Sequence, residues 1–144
     1  MNDSTNNRPH LSFWIISIMA LIWNLMGVMN FFGQMNPEIV ASMPESHQAI
    51  IQGRPVWGTI AFAVAVMTGA LGCILLLLKR AAAQYLFIAS LLGVMVQLIP
   101  NFKLASSEIQ FSLFEIVMMM ILPLVLAAFL TWYANRSQAN GWIK

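Results

Sequence analysis

Charged residues are scarce in this chain. Lys, Arg, Asp and Glu together make up 8% of its 144 residues, whereas 60% are hydrophobic and the mean hydropathy is +0.77. Soluble domains carry about 25% charged residues, so this composition excludes an ordinary soluble domain and predicts a membrane protein. The net charge of +2 comes with no basic cluster, so we expect no nucleic-acid partner.

Cysteine and the usual combinations of catalytic residues are equally scarce. The single cysteine, Cys73, excludes an intrachain disulfide and Cys-x-x-Cys chemistry. The sequence contains no glycine-rich phosphate loop, no nucleophile–histidine–acid set and no pair of acids within a span. The 11 methionines are more typical of adaptable packing than of a copper site. We therefore expect no enzyme activity, no catalytic residue, no metal and no cofactor.

Long apolar runs make up most of the chain. The first run holds 22 residues without a charge, Leu11–Phe32, and an apolar helix of about 20 residues spans the ~30 Å hydrocarbon core of a bilayer. The sequence predicts an all-α, four-helix membrane bundle that forms a single domain, residues 11–134. The predicted spans are about 11–32, 55–78, 82–99 and 112–134, with polar tails at 1–10 and 135–144.

Prolines divide the chain between and within these spans. In the long loop 34–54, Asn36-Pro37-Glu38 and Met43-Pro44-Glu45 each place proline and an acid where a helix begins. We therefore expect one or two short helices in this loop, at the membrane surface. Pro100 is expected to end the third span, and Pro123 to kink the fourth.

The distribution of lysine and arginine predicts the orientation. Five of these residues fall on the side of the termini: Arg8, Lys79, Arg80, Arg136 and Lys144. The opposite side holds Arg54 and Lys103. Because the positive excess marks the cytoplasm, we expect both termini inside and the loop 34–54 outside.

The strongest polar groups of the spans fall in the outer half on this assignment. An amide in hydrocarbon must face protein or a cavity, because lipid offers it no hydrogen bond. These groups predict a ligand-binding pocket open to the outer face, with candidate residues Trp23, Asn24, Trp57, Gln97, Asn101 and Glu115. The alternative is that the amides only join helices to one another. Trp23 itself fits packing between helices better than ligand contact.

Glu115, the one acid within a span, has two interpretations. A capping box at Ser107-x-x-Gln110 would start the helix near Glu108 and bury Glu115 about 10 Å along it, where it could bind a proton or a cationic group. A capping box at Ser112-x-x-Glu115 would instead make Glu115 an interfacial helix cap. In either case Lys103 or Arg54 could be its partner.

Small residues recur every four positions in the second span, at Ala61, Ala65, Gly69 and Cys73. Such a stripe lets another helix approach closely, which is how helices associate in lipid. We therefore predict that these four residues form a helix-packing face. That face could lie within one chain, in a homo-oligomer or against another membrane protein.

The sequence also resembles a known family of membrane proteins. The elements Trp23-Asn24-x-x-Gly27, Pro55-x-Trp57, Trp132-Tyr133 and Gly141-Trp142 resemble a family of small four-span bacterial inner-membrane proteins that are often labelled sugar transporters. The outline is also similar, more loosely, to the four-span DoxX-like proteins. The resemblance implies the bacterial inner membrane and a sugar-like solute.

Two hypotheses of function follow. In the first, the protein binds or transports a small polar, sugar-like solute through a pocket open to the outer face. In the second, it is a structural or assembly subunit that packs against other membrane proteins without transport. Membrane lipids are expected partners in both.

Overall fold

The computed structural model describes residues 8–106 and 110–144. These residues are largely helical and contain no β-strand. The elements, in chain order, are α1 (Leu11–Gly33), α2 (Pro37–Ala41), α3 (Glu45–Gly53), α4 (Val56–Leu77), α5 (Ala83–Ala105), α6 (Leu113–Ile116), a π-helical turn (Val117–Ile121) and α7 (Leu122–Ala139).

Four helical segments of 22 to 27 residues are long and apolar enough to cross a membrane. They are α1, α4, α5 and the continuous run from α6 to α7, residues 113–139. This confirms the predicted all-α, four-helix architecture and is compatible with a multi-pass membrane protein.

The antiparallel hairpin of α4 and α5 lies at the centre, with α1 packed on α4 and α7 packed on α5. The backbones of α4 and α5 touch at Gly93. A Cβ added there would lie 2.8 Å from the Ala61 carbonyl oxygen and 2.9 Å from the Ala65 nitrogen. All four residues of the small-residue stripe are buried, and Gly69 and Cys73 also meet Asn24 of α1. The stripe is therefore occupied by contacts within the chain.

Both ends of the described chain lie at the same end of the bundle as the α4–α5 turn. The Ala81 N–H donates to the carbonyl of Lys144, and the Lys144 N–H donates to the carbonyl of Lys79, both at 2.9 Å. The rings of His10 and Trp142 are in edge contact, with centroids 5.6 Å apart. We call this end the terminal end, and the opposite end, which carries α2 and α3, the loop end.

An apolar cluster fills the terminal end. Phe13 of α1 stacks on Tyr133 of α7 with ring centroids 6.3 Å apart, so the two outer helices meet here. The buried members are Phe13, Cys73, Leu76, Ala83, Phe87, Leu130, Tyr133, Ala134 and Ile143. Burial of these side chains gives this end an apolar core.

Residues 135–144 are not the polar tail that we predicted. α7 continues to residue 139 and ends in a Schellman motif, in which Gly141 adopts a φ of 70° and the Trp142 N–H donates to the carbonyl of Ser137. The reversal returns Ile143 to the core with 1% of its surface exposed. The composition of residues 135–144 did not indicate this return, because the segment is mostly polar and only one side chain after the turn is fully buried.

The helices of the long loop form as predicted. The Asn36 side chain accepts the N–H of Glu38 at 3.0 Å, which caps α2, and α3 begins directly after Pro44. α3 packs against α5, and its Ile50 is fully buried. The nine-residue α3 is therefore anchored across the loop end.

Pro100 lies inside α5, so the prediction that it ends the third span at Ile99 was wrong. The helix continues to Ala105. Proline cannot supply the usual N–H, but its ring packs closely on α4, where a Cβ added to Gly58 would lie 3.0 Å from Pro100 Cγ. Because the helix continues, Asn101 stays one turn after Gln97, on the same face of α5.

The fourth span changes helical type just before Pro123. In the π-helical turn, the Leu122 N–H donates to the carbonyl of Val117, five residues earlier. We expected Pro123 to kink this helix. A local π adjustment is one way in which a membrane helix accommodates the missing donor of proline.

Candidate functional site

A cavity of about 380 Å³ lies between the four long helices. Its walls come from α1, α4, α5 and the stretch from the π-helical turn into α7, and one face of α3 lines the loop end. Small-molecule pockets typically have volumes of about 300–1,000 Å³ and are mostly apolar with a few polar groups. Both descriptions fit this cavity, which begins where the apolar cluster of the terminal end stops.

Two amide side chains of α5 line the cavity without hydrogen-bond partners in the described part of the chain. Gln97 is 6% exposed and Asn101 is 3% exposed. The Asn101 Oδ1 is fully buried and accepts no hydrogen bond from any described residue. Buried polar groups are almost always paired, and an unpaired one costs about 1–3 kcal/mol, so the Asn101 Oδ1 calls for an explanation.

Asn24 lines the same cavity but also forms hydrogen bonds within the bundle. Its Nδ2 donates to the Ala20 carbonyl at 2.9 Å and to Cys73 Sγ on α4 at 3.5 Å. Its Oδ1 rests against Gly69, which has no side chain to exclude it. Asn24 therefore both joins α1 to α4 and contributes to the cavity wall, which combines the two alternatives that the sequence left open.

The cavity brings together four of the six predicted ligand-binding residues: Trp23, Asn24, Gln97 and Asn101. Trp57 is 47% exposed, and the structure does not bring it into the lining of the cavity. It precedes Phe62 by five residues, which turns it about 140° away from the face of α4 that lines the cavity.

Glu115 also lies outside the lining, because it caps α6. Its carboxylate accepts the Ser112 N–H at 2.8 Å, while its own N–H donates to Ser112 Oγ at 3.2 Å. This is the second of the two predicted capping boxes; Ser107 and Glu108 of the first lie outside the described residues.

The partners of Glu115 differ from those that we predicted. Ser46 Oγ donates to its carboxylate, and His47 Nδ1 lies 3.5 Å from the same oxygen. Neither Lys103 nor Arg54 forms an ion pair with it among the described residues. Glu115 therefore joins α3 to the start of the fourth span.

Several lining residues at the loop end were not among the predicted site residues. Asn30 and Gln34 come from α1, and His47, Ile51 and Arg54 come from α3 and its C-cap. The last three follow a spacing of four and three residues, which is one face of a helix. That spacing was visible in the sequence, but nothing in it indicated that this face covers a cavity.

Arg54 is the one cation that lines the cavity among the described residues, apart from the titratable His47. Its Nη1 donates to Gln34 Oε1 at 3.0 Å, and its guanidinium lies 5.0 Å from the centre of the Phe62 ring. Its Nε is buried without a partner. Burial lowers the pKa of the Arg54 guanidinium from its ordinary value, although arginine remains charged at neutral pH.

Comparisons of the chain with models of known protein families, with curated proteins and with solved structures gave no match. The lining residues themselves therefore indicate what the cavity can bind. Within residues 8–106 and 110–144, no group of three or more His, Cys, Asp or Glu side chains is placed to hold a metal ion. The lining instead offers amides, one guanidinium and apolar surface, which suit reversible binding.

Proposed function

We propose that this protein binds a small polar, sugar-like ligand in the cavity and moves it across or within the membrane. The observation that carries the proposal is the pair of nearly fully buried amides of Gln97 and Asn101 in the cavity wall, neither of which has a hydrogen-bond partner among the described residues. Amides donate and accept, so they match hydroxyl groups, and Trp23 adds an aromatic surface at the same cavity.

The helix irregularity beside the cavity supports movement. Met118 and Met119 of the π-helical turn and the following Pro123 all line the cavity. π-helical turns occur frequently at functional sites, and irregular backbone at membrane depth is tolerated where it borders a cavity. A wall of this kind can change shape with less disruption than a regular helix.

The hypothesis of a purely structural subunit has less support. It relied on the stripe from Ala61 to Cys73 as a face for another protein. That stripe contacts α5 and Asn24 within the same chain, so it offers no free surface.

We also propose that the loop end faces the outside of a bacterial inner membrane, with both termini in the cytoplasm. The support is the charge distribution, five basic residues near the terminal end against two near the loop end. Cysteines introduced in the place of Ser46 and Gln138 test it in intact cells, in a Cys73→Ala background. An impermeant thiol reagent should label only the first, and labelling of the second would contradict this orientation.

Ligand binding can be tested with a matched pair of glutamine variants. Thermal unfolding of the purified protein is measured in the presence of a panel of sugars, polyols and their phosphorylated and lipid-linked forms. A ligand at 100 times its Kd should stabilise the protein by about 2.7 kcal/mol. Gln97→Met should remove that stabilisation while leaving the unliganded protein as stable as before, because Gln97 makes no hydrogen bond among the described residues.

Gln138→Met, at an exposed position of α7, is the control and should respond like the wild type. The proposal fails if no member of the panel stabilises the wild type, or if Gln97→Met keeps the full stabilisation.

A further inference from the structure

The charge of Arg54 is incompletely compensated. Among the described residues no carboxylate forms an ion pair with it, and its partners are the neutral amide of Gln34 and the ring of Phe62. Its Nε is buried and makes no hydrogen bond. A partly buried charge normally acquires a counter-ion or a full set of hydrogen bonds, because desolvation is costly. A guanidinium that lines the loop end of a cavity and has no counter-ion among the described residues therefore suits an incoming anion.

Polarity decreases along the cavity from the loop end inwards. Towards Arg54, the amides of Gln97 and Asn101 form no hydrogen bond with other described residues, whereas the deeper polar side chains are already bonded within the protein. Ser90 donates to the Ala65 carbonyl at 2.7 Å, and Asn24 donates to Ala20 and Cys73. The remaining deep wall is apolar: Phe87, Val94, Leu126, Ala127 and Leu130. A ligand matched to this gradient has a polar head and an apolar body.

The cavity also reaches the lateral surface of the bundle. α1 and α7 lie on opposite sides of the α4–α5 hairpin and meet through Phe13 and Tyr133 at the terminal end. Towards the loop end, the cavity lies between them and is lined by Met26 and Met118, which are 58% and 39% exposed. Both lie about 8–10 Å inside the ends of their spans, at the depth of lipid chains. Methionine side chains are flexible enough to let a chain pass.

We infer that the cavity takes an anionic amphiphile from the bilayer, with its oxyanion against Arg54 and its apolar chain between α1 and α7. The head also meets the amides of Gln97 and Asn101, which supply donors and acceptors for oxygen-rich groups. This inference rests on the proposed function, in that the same cavity binds the ligand, and it adds the charge of the ligand and its route of entry.

Lipid binding to the purified full-length chain tests the charge. Protein stripped of lipid in a neutral detergent is titrated with phosphatidylglycerol or with diacylglycerol of the same chains, and bound lipid is counted by native mass spectrometry. Phosphatidylglycerol should bind at least about tenfold more tightly, because only it carries an oxyanion. Equal affinity for the two lipids would overturn the inference.

Variants of Arg54 separate a role in binding from a role in folding. Arg54→Gln should lower the affinity for phosphatidylglycerol to that for diacylglycerol, and Arg54→Lys should retain most of the preference. Arg80→Gln removes an exposed charge at the other end and should leave the preference unchanged. Lipid-free Arg54→Gln should melt no earlier than the wild type, since it removes an incompletely compensated charge. An unchanged preference in Arg54→Gln would contradict the inference, as would earlier melting with the preference intact.

Narrowing the lateral opening tests the route of entry. Met26→Trp places a larger side chain at the gap and should reduce phosphatidylglycerol binding at least about tenfold, whereas Met29→Trp, on an exposed part of α1 outside the lining, should not. Glycerol 3-phosphate, which has the oxyanion but no chains, should bind far more weakly than the lipid. If it binds as tightly, and if Met26→Trp has no effect, the ligand is a water-soluble anion and the amphiphile is excluded.

The outcomes also separate this inference from the proposed function. Binding of a neutral sugar that depends on Gln97 but not on Arg54 would preserve the proposed function and refute the anionic amphiphile. Failure of every neutral and anionic probe would refute both.

Discussion

The two ends of the bundle are built from the same four helices but packed in opposite ways. At the terminal end, Phe13, Phe87 and Tyr133 fill the space between the helices, and α1 meets α7 directly. Towards the loop end, the positions between the helices carry amides, methionines and small residues, and a cavity of about 380 Å³ remains. The architecture alone therefore does not create the cavity; the size and polarity of the side chains do.

Hydrogen bonding differs between the two ends in the backbone turns and in which unpaired side chains line the cavity. At the terminal end, the turns at Lys79 and Gly141 satisfy the last carbonyls of their helices through Schellman bonds, and Lys144 is tied to the α4–α5 turn. Among the described residues, buried side-chain atoms without a partner occur in both halves, on Ser17 and Ser137 towards the terminal end and on Asn101 and Arg54 towards the loop end. Only Asn101 and Arg54 line the cavity. We interpret the first region as the part that holds the fold and the second as the part that meets a ligand.

The largest expected effect on stability comes from emptying the terminal end. Phe13→Ala removes a fully buried ring from the cluster and should cost about 3–5 kcal/mol of unfolding free energy, measured by denaturant titration in detergent. Ligand affinity of the remaining folded protein should change little. Phe102→Ala, at a ring that is 72% exposed, is the matched control and should cost much less. A neutral Phe13→Ala would remove the distinction between the two ends.

An intermediate effect is expected where the central helices touch. Gly93→Ala would place its Cβ 2.8 Å from a backbone carbonyl of α4, so the helices must separate, at a cost of about 1–3 kcal/mol. Gly27→Ala is the milder counterpart, because its Cβ would meet only the Val66 side chain at 3.2 Å. Equal melting temperatures for the two variants would contradict the close approach of α4 and α5.

The smallest effect on stability is expected in the cavity wall. Asn101→Leu replaces an amide whose buried Oδ1 has no partner, so the unliganded protein should melt at the same temperature or slightly higher. Ligand binding should fall, because the replacement removes a donor and an acceptor from the cavity. A loss of more than about 2 kcal/mol without ligand would instead identify Asn101 as a structural residue.

Much of the fold could be predicted because span length and proline-acid helix starts are local signals. The four spans and both short loop helices follow from them. The path of α5 through Pro100 was missed because a proline ring packed on Gly58 is a tertiary contact. The buried return of Ile143 depends on a turn whose packing is likewise not local.

The cavity was harder to predict because a helix that is apolar all round does not reveal which face turns inwards. Depth along the spans grouped Asn24, Gln97 and Asn101 correctly, since depth follows from residue number. The rotation of each helix about its own axis could not be predicted in this way, and in the structure the rotation of α4 turns Trp57 outwards. The placement of Arg54 in the lining depends on how α3 lies across the loop end.

The contrast between an open and a closed half can be measured directly by thiol accessibility. In a Cys73→Ala background, Gln97→Cys places a thiol in the cavity, and Ser17→Cys places one at a fully buried position of α1 outside it. A small, positively charged methanethiosulfonate should modify the first much faster than the second in reconstituted membranes, and bound ligand should slow only the first. Equal slow rates at both positions would show that the loop half is as closed as the terminal half.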